Sequence, residues 1–143
     1  MRWTGFGFAL FLLSMLGGAC DERRVLDFKD SQEAAALQIS HYEFEQRVLC
    51  FCAPPAGQFH KLTVSDDRLV LVDDREPTEA EVHTFKTISQ LFEFVESIDP
   101  DSVAVLRVEY DETYGFPSDI YVDYDSRIVD EEIRYESKNF KEL

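Results

Sequence analysis

The chain has 143 residues, 45% of them hydrophobic and 13% aromatic, which is enough for one folded domain and excludes a disordered or low-complexity protein. Its 29 acidic against 14 basic residues give a formal net charge of -15. Such a field repels phosphate backbones, so nucleic acid is not expected as a partner, whereas a cationic protein or simple solubility both suit it.

The chain starts with Arg2 and the uncharged run Phe6 to Leu16, followed by the small residues Gly17, Gly18 and Ala19 before Cys20. That run is shorter than the roughly 20 apolar residues a membrane helix needs and falls within the roughly 7–15 of a signal-peptide core. Residues 1–19 are therefore expected to be a signal peptide. The segment resembles the bacterial lipobox, which implies that Cys20 receives a diacylglycerol anchor and becomes the mature N-terminus. Gly17 stands where that motif usually carries leucine, and a general signal peptidase would cut at the same bond without adding lipid. Asp21 resembles the inner-membrane retention signal of enteric bacteria. Residues 20–30 mix charges, Arg23 and Arg24 among them, and read as a tether near lipid headgroups.

Residues 31–143 are expected to form a single α+β domain. Ser31 to Ile39 carries a capping residue and helix formers and predicts a short helix. Tyr42, Phe44, Val48, Cys50 and Cys52 then recur with period two, interrupted at Gln46, which predicts a strand running to Cys52. Ala53 to Gly57 ends it. His60 to Val64 and Leu69 to Val72 flank Ser65 to Arg68 as a hairpin, and Asp73 to Thr84 reads as a solvated acidic loop.

The clearest helix runs from Thr87 to Ile98: Thr87 and Gln90 make a capping-box pattern, and Ile88, Leu91, Phe92, Val95 and Ile98 share one stripe. Strands are expected over Val103 to Tyr110, Ser118 to Tyr124 and Glu132 to Phe140, with a tight reversal at Asp111 to Pro117 built on Gly115 and Pro117. The predicted architecture is one or two helices packed on one face of a twisted antiparallel sheet of about five to six strands.

Thr87-Ile88 with Leu91-Phe92, then Val108 to Asp111, Tyr114-Gly115-Phe116-Pro117 with Ile120 and Asp123, and Asp130 to Glu132 resemble the bacterial family catalogued as domain of unknown function 6174. Tyr42, Phe44 and Cys50-Phe51-Cys52 fit the same pattern, so the resemblance covers nearly all of Ile39 to Phe140. It implies small secreted or lipid-anchored proteins with an α+β fold and no assigned activity.

Three groups of residues invite chemistry. Cys50 and Cys52 are the only thiols left if Cys20 is lipidated, and they would pair as a disulfide only if the strand kinks, because i and i+2 in an extended strand stand roughly 6.5–7 Å apart at Cα. A thiol enzyme would want His60 beside them, and a metal site would want His41 or His60, but His41, His60 and His83 are scattered and no second Cys/His pair exists. Asp123 to Glu132 begins like a calcium loop, yet Arg127 and Ile128 stand where an EF-hand needs a ligand and a glycine. Tyr110, Tyr114, Phe116, Tyr121 and Tyr124 gather around the reversal, as a partner surface or as core. Asp111, Gly115 and Pro117 are read as a structural motif.

No nucleophile elbow, phosphate loop or zincin motif occurs, so the expectation is a non-enzymatic, cofactor-free and metal-free envelope protein tethered through Cys20 and facing the periplasm or cell exterior. The alternatives are a periplasmic thiol- or metal-handling protein using Cys50 and Cys52, and an inhibitor of a cationic enzyme.

Overall fold

A computed structural model describes residues 37–52 and 57–143. The expected leader, Cys20, the tether and the Ser31 to Ala36 part of the first expected helix lie outside the described residues. Six strands are present among the described residues: β1 (His41–Leu49), β2 (His60–Ser65), β3 (Arg68–Val72), β4 (Val105–Tyr110), β5 (Pro117–Asp123) and β6 (Ile133–Glu142). Between β3 and β4 stand two helices, α1 (Glu79–Thr84) and α2 (Ile88–Ser97), and a short 3-10 turn at Pro100–Ser102. The sheet order is β3-β2-β1-β6-β5-β4 with every neighbour antiparallel, so two three-stranded meanders meet at a seam between β1 and β6. This is an α+β arrangement.

Period-two patterning puts Tyr42, Phe44, Val48, Leu62, Val64, Val72, Val108, Ile120, Val122 and Tyr135 in the buried core. Ile88, Leu91 and Phe92 of α2, with Ile98 just past its end, join the same core, so the expected stripe faces the sheet. Thr87 and Gln90 form the expected capping box. The β2–β3 turn has both Asp66 and Asp67 in the left-handed region, at φ 48° and 58°, as tight hairpin turns require and aspartate tolerates.

Two expectations change. The strand ends at Leu49 rather than at Cys52, because the chain bends at Cys50 and Phe51. The stretch from Asp73 to Thr84 is not a solvated loop throughout, since Glu79–Thr84 is α1, capped by a second box in which Thr78 Oγ1 accepts from the Glu81 N–H and the Glu81 carboxylate accepts from the Thr78 N–H. The same carboxylate accepts two bonds from the Arg75 guanidinium and is almost wholly buried. Charge pairing is what allows a glutamate to sit there.

Gln46 interrupts the apolar period because it is a buried clamp. Its side chain is fully shielded from solvent, Oε1 accepts from the Lys86 N–H at 2.9 Å, and Nε2 donates to the Lys86 carbonyl at 3.2 Å and to Ser137 Oγ at 3.2 Å. One turn of strand earlier on the same face, the Tyr42 hydroxyl accepts from the Ile88 N–H at 2.9 Å, and Thr87 Oγ1 donates to Asp67 at 2.7 Å. Three side chains thus fix the link between α1 and α2 to the middle of the sheet. Burial pushes the Tyr42 phenol up to about 12, which keeps it protonated across the working range.

Two outcomes follow from this packing. Gln46→Leu should lower stability by about 1–3 kcal/mol in thermal or urea unfolding, because it leaves the buried Lys86 amide groups unpaired while preserving side-chain bulk. The Arg75 guanidinium holds Glu81 down at about 2 from an ordinary 4.5, so its stabilisation is complete above the unfolded value and is lost as pH falls from 4.5 towards 2. Glu81→Gln should therefore lower the melting temperature at neutral pH and flatten its decline between pH 4.5 and 2, as followed by circular dichroism.

Candidate functional site

The sheet face opposite the core is built from the alternate residues of the same strands, and antiparallel register aligns them in rows. Arg107 of β4 stands opposite Tyr121 of β5, Tyr121 opposite Arg134 of β6, and Arg134 opposite Leu49 of β1. The adjacent row reads Glu109, Asp119, Glu136, Arg47. A row with two arginines thus lies against a mostly acidic one, at the spacing where cross-strand and diagonal pairs interact.

Most of these charges are matched. Arg134 Nε donates to Asp119 Oδ1 at 2.9 Å, and its guanidinium reaches Glu136 at 3.1 Å. Arg47 pairs with Glu136, Lys138 with Glu45 at 3.4 Å and Lys141 with Glu43 at 3.1 Å. The hydrogen bond to Asp119 drives the Arg134 pKa upward, so it stays a cation. Arg107 differs. Its guanidinium lies over the Tyr121 ring at 4.7 Å, and among the described residues it has no carboxylate partner. Stacking holds the flat face of the group and leaves its N–H edge available.

The row opens into a groove of about 450 Å³ lined by Arg107, Tyr121, Arg134, Leu49, Phe51 and Cys50 together with Asp130 and Glu132. That volume is within the range of small-molecule sites, roughly 300–1,000 Å³. Phe51 is 83% exposed at its rim. Single exposed apolar side chains are ordinary, but Phe51 lines the groove next to Leu49 and extends its apolar side. Asp130, held at φ 73°, and Glu132 carry no hydrogen bond or ion pair among the described residues. Cys50 and Cys52 are in bonding contact at this rim with their Cα atoms 5.3 Å apart, and the bend that brings them together is the one that ends β1 and turns Phe51 outward.

The other residues singled out in the sequence go elsewhere. Asp111 Oδ1 accepts from the Thr113 and Tyr114 amides at 2.9 and 2.7 Å, the Gly115 N–H reaches the Asp111 carbonyl at 2.9 Å, and Gly115 sits at φ 74°. Asp111, Gly115 and buried Pro117 form a closed turn whose polar groups serve the backbone. The turn also presents Tyr114 and Phe116 to Phe140, at ring separations of 4.5 and 5.3 Å. Of the aromatic group, Phe116 is core, Tyr110 and Tyr114 pack against it, Tyr121 lines the groove and Tyr124 is exposed.

The histidines are dispersed. His41 bonds Ser65, His60 Nδ1 bonds Asp73 at 2.7 Å and packs on Phe85, and His83 lies 3.9 Å from Glu79. His60 holds the Asp73 carboxyl below its ordinary value. Asp125, in the loop that resembled a calcium site, is bound by Arg127 through both carboxylate oxygens. Among the described residues no group of three or more His, Cys, Asp or Glu side chains is placed to hold a metal ion. No helix among them is long and apolar enough to cross a membrane.

The model of a family of unknown function, DUF6174, matches residues 30–142, and the chain belongs to that family. No curated protein and no solved structure matches the chain.

The Asp111 turn makes a sharp distinction between backbone and side-chain roles. Gly115→Val should destabilise the protein by about 1–3 kcal/mol through a β-branched residue forced to positive φ. Asp111→Asn, which keeps the accepting Oδ1, should leave the melting temperature nearly unchanged, while Asp111→Ala should cost about 0.5–2 kcal/mol.

Proposed function

With membership of a family that carries no assigned activity as the starting point, we propose that this chain is a bacterial envelope lipoprotein. In this reading residues 1–19 are removed, Cys20 is lipidated, residues 20–30 are the tether, and residues 31–143 form a non-enzymatic domain that binds a ligand. Asp21 ranks the inner membrane first, with the domain facing the periplasm or cell exterior.

Arg107 carries the binding part of the reading. Among the described residues Arg47, Arg75, Arg127 and Arg134 are each held by a carboxylate, while Arg68 and Arg107 are not, and of these two it is Arg107 that lines the groove, stacked on Tyr121, in a chain with 29 acidic residues. A cation left free amid that many acids is positioned for something other than internal pairing. The net charge of -15 also suits a cationic protein partner over the wider surface. A second reading, thiol handling by Cys50 and Cys52, is favoured by their contact at the groove rim. It would need the two bonded sulfurs to be released from each other, and His60, the histidine expected beside them, is engaged by Asp73 instead.

One variant tests the anchor and the thiols together. Cys20→Ala should abolish incorporation of labelled fatty acid, and the purified variant should show no free thiol until a reductant is added and both Cys50 and Cys52 afterwards. Continued labelling sinks the anchor. Two freely titrating thiols before reduction would favour the thiol-handling reading.

A further inference from the structure

We propose that the groove on the open sheet face binds a zwitterionic short peptide carrying an apolar side chain, with the peptide carboxylate on Arg107 and its ammonium on Asp130 and Glu132. The inference rests on the binding role proposed above and gives it a ligand class. Three observations converge. Arg107 is fixed by its Tyr121 stack with its N–H edge free, which is the geometry for a bidentate bond to a carboxylate. Asp130 and Glu132 line the same groove and are likewise without a partner among the described residues, so one cavity holds uncompensated groups of both signs that do not pair with each other. Leu49, at the end of the Arg107 row, and Phe51, 83% exposed, form an apolar wall beside them.

A single anion would meet repulsion from Asp130 and Glu132, and a single cation would meet it from Arg107. A zwitterion satisfies both. The volume of about 450 Å³ has room for a dipeptide. Phe51 stands between the two bonded cysteines, and the short Cα separation of 5.3 Å keeps the chain bent there, so that its ring is offered to a ligand side chain rather than to the core. Arg134 stays with Asp119 and Glu136 and frames the site without being free to bind.

The test titrates the full chain in detergent with the dipeptide Leu-Phe, its C-terminal amide and its N-acetyl form, by calorimetry. Leu-Phe should bind, and masking either terminus should weaken it by about tenfold or more. In Arg107→Ala the free acid and the amide should bind alike, and in the Asp130→Asn, Glu132→Gln double variant the free amine and its acetyl form should bind alike. All three residues lie at the groove surface, and unchanged melting temperatures would confirm that these variants fold. No heat with Leu-Phe up to about 10 mM, or equal affinity for all three forms in the unaltered chain, overturns the proposal. A photo-crosslinker at Phe51 separates this failure from failure of the binding role. If Leu-Phe does not bind but that position crosslinks a species in native envelopes that exposed Val82 does not, the binding role stands and the peptide assignment falls.

Discussion

A buried amide side chain pins the link between the two helices to the middle of the sheet. Gln46 sits in the middle of β1, which is itself in the middle of the sheet, and its side chain copies the hydrogen-bonding pattern of a strand by taking both the N–H and the carbonyl of Lys86. The link between α1 and α2 would otherwise bring bare backbone groups into the core. A buried amide group without a partner costs about 1–3 kcal/mol, so the clamp settles where the link can lie as well as whether it is tolerated. Tyr42 and Asp67 then fix the start of α2 from two further directions, and the apolar stripe of the helix has one way to meet the sheet.

Much of this was legible in one dimension, and what was not has identifiable causes. The capping box and stripe of Thr87 to Ile98 gave α2, because both signals are local. The α1 helix carries the same box at Thr78 and Glu81, but its six residues are too few for a stripe, and the surrounding acids suggested solvent. Gln46 read as a flaw in an alternating strand because its partners lie 40 and 91 residues away. The turn at Asp111 to Pro117 was legible from Gly115 and Pro117. The groove was not, since Leu49, Arg107, Tyr121 and Arg134 become neighbours only through the register of four strands.

On the open face the acidic side chains of the sheet are interleaved with basic ones. Alternating rows place Arg47, Arg134, Lys138 and Lys141 against Glu136, Asp119, Glu45 and Glu43. Exposed pairs of this kind are worth at most about 1 kcal/mol each, so their value lies less in stability than in register, because a one-residue slip would send every charge into the core. Against that matched background Arg107, Asp130 and Glu132 are unpaired among the described residues and line one groove together.

The seam between β1 and β6 has a consequence for the order in which the chain can acquire structure. These strands lie about a full domain apart in sequence yet form the centre of the sheet, with Val48 beside Tyr135 and Glu43 beside Lys141. A chain that lacks Ile133–Glu142 has the β1–β3 meander and the β4–β5 hairpin and no strand to join them, so it displays the unpaired edge of β1. Closure must wait for β6, and long-range pairing of this kind is slow. The topology thus acts as a timer. It holds the sheet open until Ile133–Glu142 is in place between β1 and β5.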